Sequence, residues 1–141
     1  MFYLLAQPTT LSKLQTELRA AIPDAAAIPP WSALEKLPYL SGVVAEGLRL
    51  SYGLATRLAR VAPDEPMHFR SWDGAIERVV PPGVPVGMTA VHIHHDERIF
   101  PDSFAFAPER WLDPITGVRK RDLDGYLLSF SKGGRQCLGM K

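Results

Sequence analysis

The chain contains one cysteine, Cys137, set in Phe130-Ser-Lys-Gly133-Gly-Arg135-Gln-Cys137-Leu-Gly139. A thiol acts as a ligand or nucleophile only as its anion, and an ordinary pKa of about 8.5 means the surroundings must favour deprotonation. Metal coordination removes the proton outright. Backbone N–H groups just after the sulfur, and the positive end of a following helix, would add to the effect. Gly133 and Gly139 suit a loop that turns sharply and lets its backbone approach a flat ligand. Arg135 offers a guanidinium suited to carboxylates, and Phe130 an apolar cover that keeps water and oxidants from the sulfur. The plainer alternative is an ordinary buried thiol in a glycine-rich turn. A zinc site is excluded by cysteine arithmetic, since the chain holds no second cysteine.

Two further motifs precede this loop. In Glu46-Gly-Leu-Arg49 the charges stand three apart and can pair on one helix face. Leu40, Val43, Val44, Gly47 and Leu48 form the apolar face of that helix, so periodicity alone turns Glu46 and Arg49 toward solvent, where a pair contributes little. Phe106-Ala-Pro108-Glu109-Arg110-Trp111, taken alone, reads as a loop. Arg57, in Ala-Thr-Arg-Leu-Ala-Arg, reads as an exposed strand arginine.

In order and spacing these three motifs resemble the cytochrome P450 haem-thiolate monooxygenases: Glu-x-x-Arg, then Pro-Glu-Arg-aromatic, then the cysteine loop. Leu37-Pro-Tyr-Leu, Glu-Gly-Leu-Arg-Leu and Ile99-Phe-Pro-Asp are closest to fungal microsomal-type members. A regulatory haem motif would usually carry proline after the cysteine, and here Leu138 stands there. The resemblance implies that Cys137 is the axial ligand of a haem b iron, donating electron density that favours O–O cleavage. It also implies cofactor-binding roles for Phe130, Gly133 and Gly139, and propionate contacts for Arg135 and Arg57. Glu46, Arg49 and Arg110 would form a buried charged triad behind the haem, against the periodicity reading. Leu54 to Arg57 would face the substrate cavity. No catalytic residue beyond the haem ligand is expected. A complete relative would act on an apolar small molecule, with electrons from NADPH through a flavoprotein reductase, at the endoplasmic reticulum membrane when an N-terminal anchor is present.

The elements that must position these residues follow from pattern. Residues 1–6 read as a helix end, and Pro8 opens a helix at about 8–21 carrying Leu11, Leu14 and Leu18 and stopped by Pro23. Ser32-Ala-Leu-Glu35 reads as a capping box. Pro38 opens the main helix, about 38–50. From about 55 to 91 the pattern predicts a small antiparallel sheet of two hairpins, with Met67-His-Phe-Arg, a turn at Asp73-Gly74, Ile76-Glu-Arg-Val-Val, and a further strand over Val84–Val91. His92-Ile-His-His95-Asp96 predicts a short helix. A metal reading of its three histidines lacks a carboxylate–histidine arrangement of ligand spacing, and His94 matches a structural histidine of the family. A long meander and the ligand loop fill about 100–139. Arg119-Lys-Arg121 and Lys132 are either a solvated loop or a docking patch for an acidic reductase. The fold class expected is thus an α+β fragment of the mainly-α P450 fold.

With 141 residues the chain has the length of one domain, and 1–141 reads as a single partial domain, the C-terminal portion of a P450. The long distal helix with its acid–alcohol pair, the N-terminal part, and the helix after the cysteine are expected to be missing, since Lys141 stands within that helix's first turn. A net charge of +1 gives no basic surplus to hold nucleic acid. No run approaches the roughly 20 apolar residues that span a bilayer, and the apolar start lacks the basic region of a signal peptide. Beside the monooxygenase reading stand a non-catalytic haem-binding or interaction fragment from a truncated gene, and a plain structural α+β domain.

Overall fold

Proline opens both long helices of the computed structural model, which describes residues 1–53 and 55–140. Pro8 and Pro38 occupy first-turn positions where a missing N–H costs nothing. After a short α1 (Phe2–Ala6), α2 runs Pro8–Ala21, α3 Trp31–Leu34 and α4 Pro38–Arg49. The exposed N–H groups at the start of α4 find their acceptor on α2: Glu17 accepts from Tyr39 N at 2.8 Å and from Leu40 N at 2.7 Å. A carboxylate there also suits the positive end of the helix. The capping box does not form. Pro30, in extended conformation, caps α3 two residues earlier than Ser32 would, and its carbonyl accepts from Ala33 N at 2.9 Å, so Ser32 falls inside the helix and Glu35 at its end.

The apolar face assigned to α4 is only partly the buried one. Gly42, Val43, Ala45, Glu46 and Arg49 are buried, whereas Val44 is half exposed and Leu40, Gly47 and Leu48 are partly covered. Leu14 of α2 meets Tyr39, Val43, Leu50 and Phe106 in one cluster, and Tyr3 of α1 stacks on Phe106 with centroids 5.1 Å apart. Ala45, Phe100 and Trp111 form a second. At Gly42 a side chain would stand 2.9 Å from the Pro108 carbonyl oxygen, so glycine permits the close approach of α4 to the 3-10 turn Pro108–Trp111.

One hairpin forms where two were expected. β1 (Met67–Arg70) pairs antiparallel with β2 (Glu77–Val80), with Met67 opposite Val80 and Arg70 opposite Glu77. The second is reduced to a single bridge, Arg60 with Val86. Pro63, Pro66, Pro81, Pro82 and Pro85 flank that bridge and lack the N–H groups a ladder requires. The strand expected over Val84–Val91 also ends early, because Thr89 caps α5 (Ala90–His94) by accepting from Val91 N at 3.3 Å. The meander continues through 3-10 turns at Asp124–Tyr126, Gly133–Arg135 and Leu138–Met140. Among the described residues, no helix is long and apolar enough to cross a membrane.

Candidate functional site

A buried charged hub supports the site. Glu46 and Arg49 project from the last turn of α4, and both are fully buried. The two pair side-on, Arg49 Nε to Glu46 Oε2 at 2.9 Å and Nη2 to Oε1 at 2.7 Å. The three remaining Arg49 N–H groups donate to the carbonyls of His94 and Ser103, each at 2.7 Å, and Ala105 at 3.1 Å. Glu46 also accepts from Ala107 N at 3.1 Å, Arg110 Nε at 2.9 Å and Trp111 Nε1 at 2.9 Å. All five guanidinium donors are thus satisfied, the condition under which charges tolerate burial. Burial pushes the Glu46 carboxyl up, but the bonds from Arg49, Ala107 and Trp111, together with the Arg49 charge, outweigh it and hold the group below its ordinary value. The solvent-facing orientation that periodicity gives to Glu46 and Arg49 is therefore corrected. Their partners lie in the meander, which no helical wheel registers.

His94 links the hub to the cysteine loop. Its Nε2 accepts from Leu128 N at 2.9 Å, so its Nδ1 carries the hydrogen and donates to the Arg49 carbonyl at 2.9 Å. Burial, which outweighs the Arg49 carbonyl bond, lowers its pKa, and the ring is neutral. Three residues on from Leu128, Ser131 takes a positive φ of 60°, and Gly133 one of 79°. The loop then closes through Cys137 N–H donating to the Phe130 carbonyl at 2.9 Å. Cys137 is exposed, not the buried thiol of the plainer reading.

Cys137, Arg135 and Phe130 line a cavity of about 400 Å³ with Leu48, Tyr52 and His94. Arg57 lies apart from them: it is exposed, beside Gly87, and lines neither this cavity nor the adjoining one of about 300 Å³, where Arg60 and Lys132 stand. Leu54, expected to face substrate, lies outside the described residues. Gly133 and Gly134 have open space where a side chain would be, and at Gly139 one would meet the Cys137 sulfur at 3.7 Å. Of the basic residues near the loop, Arg119 is not solvated. It pairs with Asp124 and lies over the Trp111 ring, 4.9 Å from its centroid. Arg121 is exposed, 3.8 Å from Asp124.

The sequence reading missed Tyr52, whose hydroxyl lies 2.6 Å from His95 Nε2, and Glu109, which accepts from Lys13 at 2.6 Å and from the Tyr39 hydroxyl at 3.0 Å. Glu109 belongs to the Pro-Glu-Arg motif, but its partners lie on α2 and α4, far away in sequence.

One soft sulfur on a largely apolar wall, with a guanidinium on the same wall, fits a haem iron. A single protein ligand would leave the remaining positions to the macrocycle, and among the described residues no group of three or more His, Cys, Asp or Glu side chains forms a metal site of protein ligands alone.

Comparison with known proteins agrees. The family model for cytochrome P450 matches residues 1–141. The cytochrome P450 monooxygenase tpcC of Cochliobolus heterostrophus is 50% identical over 139 residues, 99% of this chain and 25% of the relative. MO6277 of Ascocoryne sarcoides, another cytochrome P450 monooxygenase, is 48% identical over 139 residues, covering 99% of this chain and 26% of that protein. The cytochrome P450 monooxygenase astB of Talaromyces wortmannii is 49% identical over 149 residues, 99% of this chain and 27% of its own length. The chain thus spans about a quarter of the length of these relatives. With matching motifs, matching family model and close relatives along its whole length, the chain belongs to the cytochrome P450 family.

Proposed function

We propose that this chain supplies the ligand-loop side of a haem-thiolate monooxygenase. The observation that carries the reading is the exposed Cys137 sulfur on the same cavity wall as Arg135 and Phe130. When bound, haem b supplies dioxygen activation: one oxygen atom enters an apolar substrate and the other leaves as water, with two electrons from NADPH delivered through a flavoprotein reductase and two protons. Cys137 holds the iron as thiolate. Arg135 neutralises a propionate, and Arg57 reaches another only if its segment moves in from its exposed position. Phe130 limits water at the sulfur. Gly133 and Gly139 keep the loop thin enough for the macrocycle to approach. Glu46, Arg49 and Arg110 fix α4 to the meander, and His94 carries that rigidity to Leu128 and the loop beyond. An apolar small molecule is the substrate class, and endoplasmic reticulum membrane the compartment for a form that carries an anchor.

The exposure of Cys137 also favours a second reading, a haem-binding or interaction fragment without oxygen chemistry. Haemin titration of the chain and of Cys137→Ser, followed by reduction and carbon monoxide, tests both. The expected result is weak, cysteine-dependent uptake without a stable thiolate–carbonyl spectrum, because the loop faces solvent. A stable native spectrum and turnover would establish the chain as a working enzyme unit. Identical spectra for both chains would sink the thiolate assignment, and with it the monooxygenase reading and the cysteine-dependent haem-binding form of the second.

A further inference from the structure

The Tyr52 hydroxyl rests on a base whose free nitrogen is fixed from the far side. Glu97 is exposed, and the bonds from the Ser103 hydroxyl and Ser103 N–H hold its carboxyl below the ordinary range, so it is ionised and only accepts. The buried Ser103 donates its O–H to Glu97 Oε1 at 2.7 Å, which leaves lone pairs for the next partner. His95 Nδ1 lies 3.1 Å from the Ser103 hydroxyl oxygen and carries the hydrogen. The neutral ring is therefore bare at Nε2, and the Tyr52 hydroxyl donates to it across 2.6 Å. Burial and the Arg49 charge oppose a second proton on His95 and Glu97 favours one, for a net lowering of its pKa. His94, on the same short helix, is neutral, and the exposed His92 shares a cleft with His95.

Two spaces meet at Tyr52. Of the four tyrosines it is the one that lines the Cys137 cavity among the described residues, and it also lines an outer cleft with His92, His95 and Phe104. His95 lines only the outer cleft, so the hydroxyl proton is held on the side away from the sulfur. A φ of 49° is strained for a side chain of this size, and the bond to His95, itself stacked on Phe104 at 4.1 Å, holds Tyr52 in place. Burial pushes the Tyr52 hydroxyl above its ordinary pKa, so the group is a neutral phenol. A phenol that loses an electron becomes a very strong acid, and its oxidation is easy only where a base already holds the proton. Tyr39 also meets a base, the Glu109 carboxylate at 3.0 Å. That carboxylate is held below its ordinary range and is the weaker base, and Tyr39 does not line the Cys137 cavity.

We propose that Tyr52 is a redox-active residue, an outlet through which a one-electron oxidant in the Cys137 cavity is discharged toward solvent: its ring gives up the electron and its hydroxyl gives the proton to His95. The O–H bond of Tyr52 breaks, an Nε2–H bond forms on His95, and the oxidant gains one electron. What remains is a neutral tyrosyl radical beside an imidazolium. The surplus proton leaves by two short shifts, from His95 Nδ1 to the Ser103 oxygen and from the Ser103 hydroxyl to Glu97, which meets water. Tyr52 is 41% exposed, so the radical is open to small reductants of the ascorbate or thiol class, and one of these returns a hydrogen atom to it. This rests on the reading of the cavity as an oxidising centre and adds to it a route by which an unused oxidising equivalent escapes the sulfur.

The exposed Cys137 thiol provides the test. Alkylating it with a bis(bipyridyl)(phenanthroline)ruthenium complex seats a photo-oxidant at the cavity, and a flash with a sacrificial electron acceptor makes ruthenium(III) there without haem. Transient absorption and electron paramagnetic resonance should find a tyrosyl radical that Tyr52→Phe removes and Tyr126→Phe does not. His95→Gln offers the hydroxyl an acceptor but no base, and should slow radical formation on the order of a hundredfold, the lower end of what a positioned base contributes. Lowering the pH through the His95 titration should slow it in the otherwise unaltered chain, an arm that needs no variant, and should leave the His95→Gln chain unaffected. Added ascorbate should shorten the radical's life. A radical that survives Tyr52→Phe would overturn the proposal. So would the absence of any tyrosyl radical, a rate indifferent to His95→Gln and to pH, or a lifetime indifferent to ascorbate. The oxidant here is the tethered ruthenium, so failure leaves the haem reading standing, and a Cys137→Ser chain that took up haemin unchanged would sink that reading alone.

Discussion

Glu46 and Cys137 are the two chemically pointed residues of this chain, and their surroundings are opposite. Glu46 is fully buried and ringed by donors from Arg49, Ala107, Arg110 and Trp111. Cys137 is exposed, on a loop with positive φ at Ser131 and Gly133 and held by a few backbone bonds. The hub is complete in protein alone, whereas the loop presents an exposed sulfur, which we propose is held for a partner other than protein. A scaffold that is over-determined can hold a loop that is not, and changes at the two places should separate stability from cofactor uptake.

Breaking the hub gives the largest expected effect. Arg49→Ala leaves the Glu46 carboxylate buried with half its charge partners gone and frees three carbonyls, at a cost of about 3–5 kcal/mol. Against a typical total of roughly 5–15 kcal/mol, that is a large share of the whole stability. Urea titration followed by circular dichroism reads it, and a loss below about 1 kcal/mol would mean the hub is not what holds α4 to the meander.

Gly42→Ala is the next test, because it strains the same junction without touching a charge. The added carbon would stand 2.9 Å from the Pro108 carbonyl oxygen, with backbone rather than a flexible side chain in the way. Overpacking of this kind costs about 1–3 kcal/mol. An unchanged urea midpoint would show that α4 and the Pro108–Trp111 turn are less closely packed than this distance requires.

How much of this contrast could be read from residue order differs between the two regions. Pro8 and Pro38 mark the starts of α2 and α4 because proline's effect is local and needs no partner. The cysteine loop is legible for the same reason, its glycines, arginine and sulfur lying within ten residues. The hub's burial is not legible from periodicity. Apolar Val44 is half exposed while charged Arg49 is sealed, because Arg49 is satisfied by carbonyls of His94, Ser103 and Ala105, and carbonyls leave no trace in residue type. Only the likeness of the motif pair to a known family pointed to it. The missing second hairpin is legible in hindsight from its prolines. Tyr52 and His95 are 43 positions apart, and the three-histidine run that holds His95 gives no sign of that partner.

His94 lies between the two regions and provides a pH test of the link. Its pKa is lowered from 6.5, chiefly by burial, so the unfolded chain binds the proton more readily than the folded one. Stability is then greatest above the unfolded value and declines as pH falls below it toward the folded value. His95 shifts the same way and adds to the slope. Urea midpoints between about pH 7 and 5 should fall, before most carboxylates titrate. His94→Gln should make that decline shallower, though the chain is less stable throughout. A pH-independent midpoint in the unaltered chain would mean that His94 is not held neutral against Leu128 and Arg49.

The smallest effect on stability is expected where the functional effect is greatest. The Cys137 side chain is exposed. Serine differs from it by one atom and leaves the bond from residue 137 N–H to the Phe130 carbonyl in place, so Cys137→Ser should shift stability by no more than about 0.5 kcal/mol. The same change removes the soft anionic ligand, and a neutral hydroxyl is a poor replacement on iron. Unaltered urea midpoints together with lost haemin uptake would place the loop's function in the sulfur rather than in the fold. If stability fell by several kcal/mol instead, the thiol would be part of the packing, and the division between scaffold and site drawn from Glu46 and Cys137 would fail.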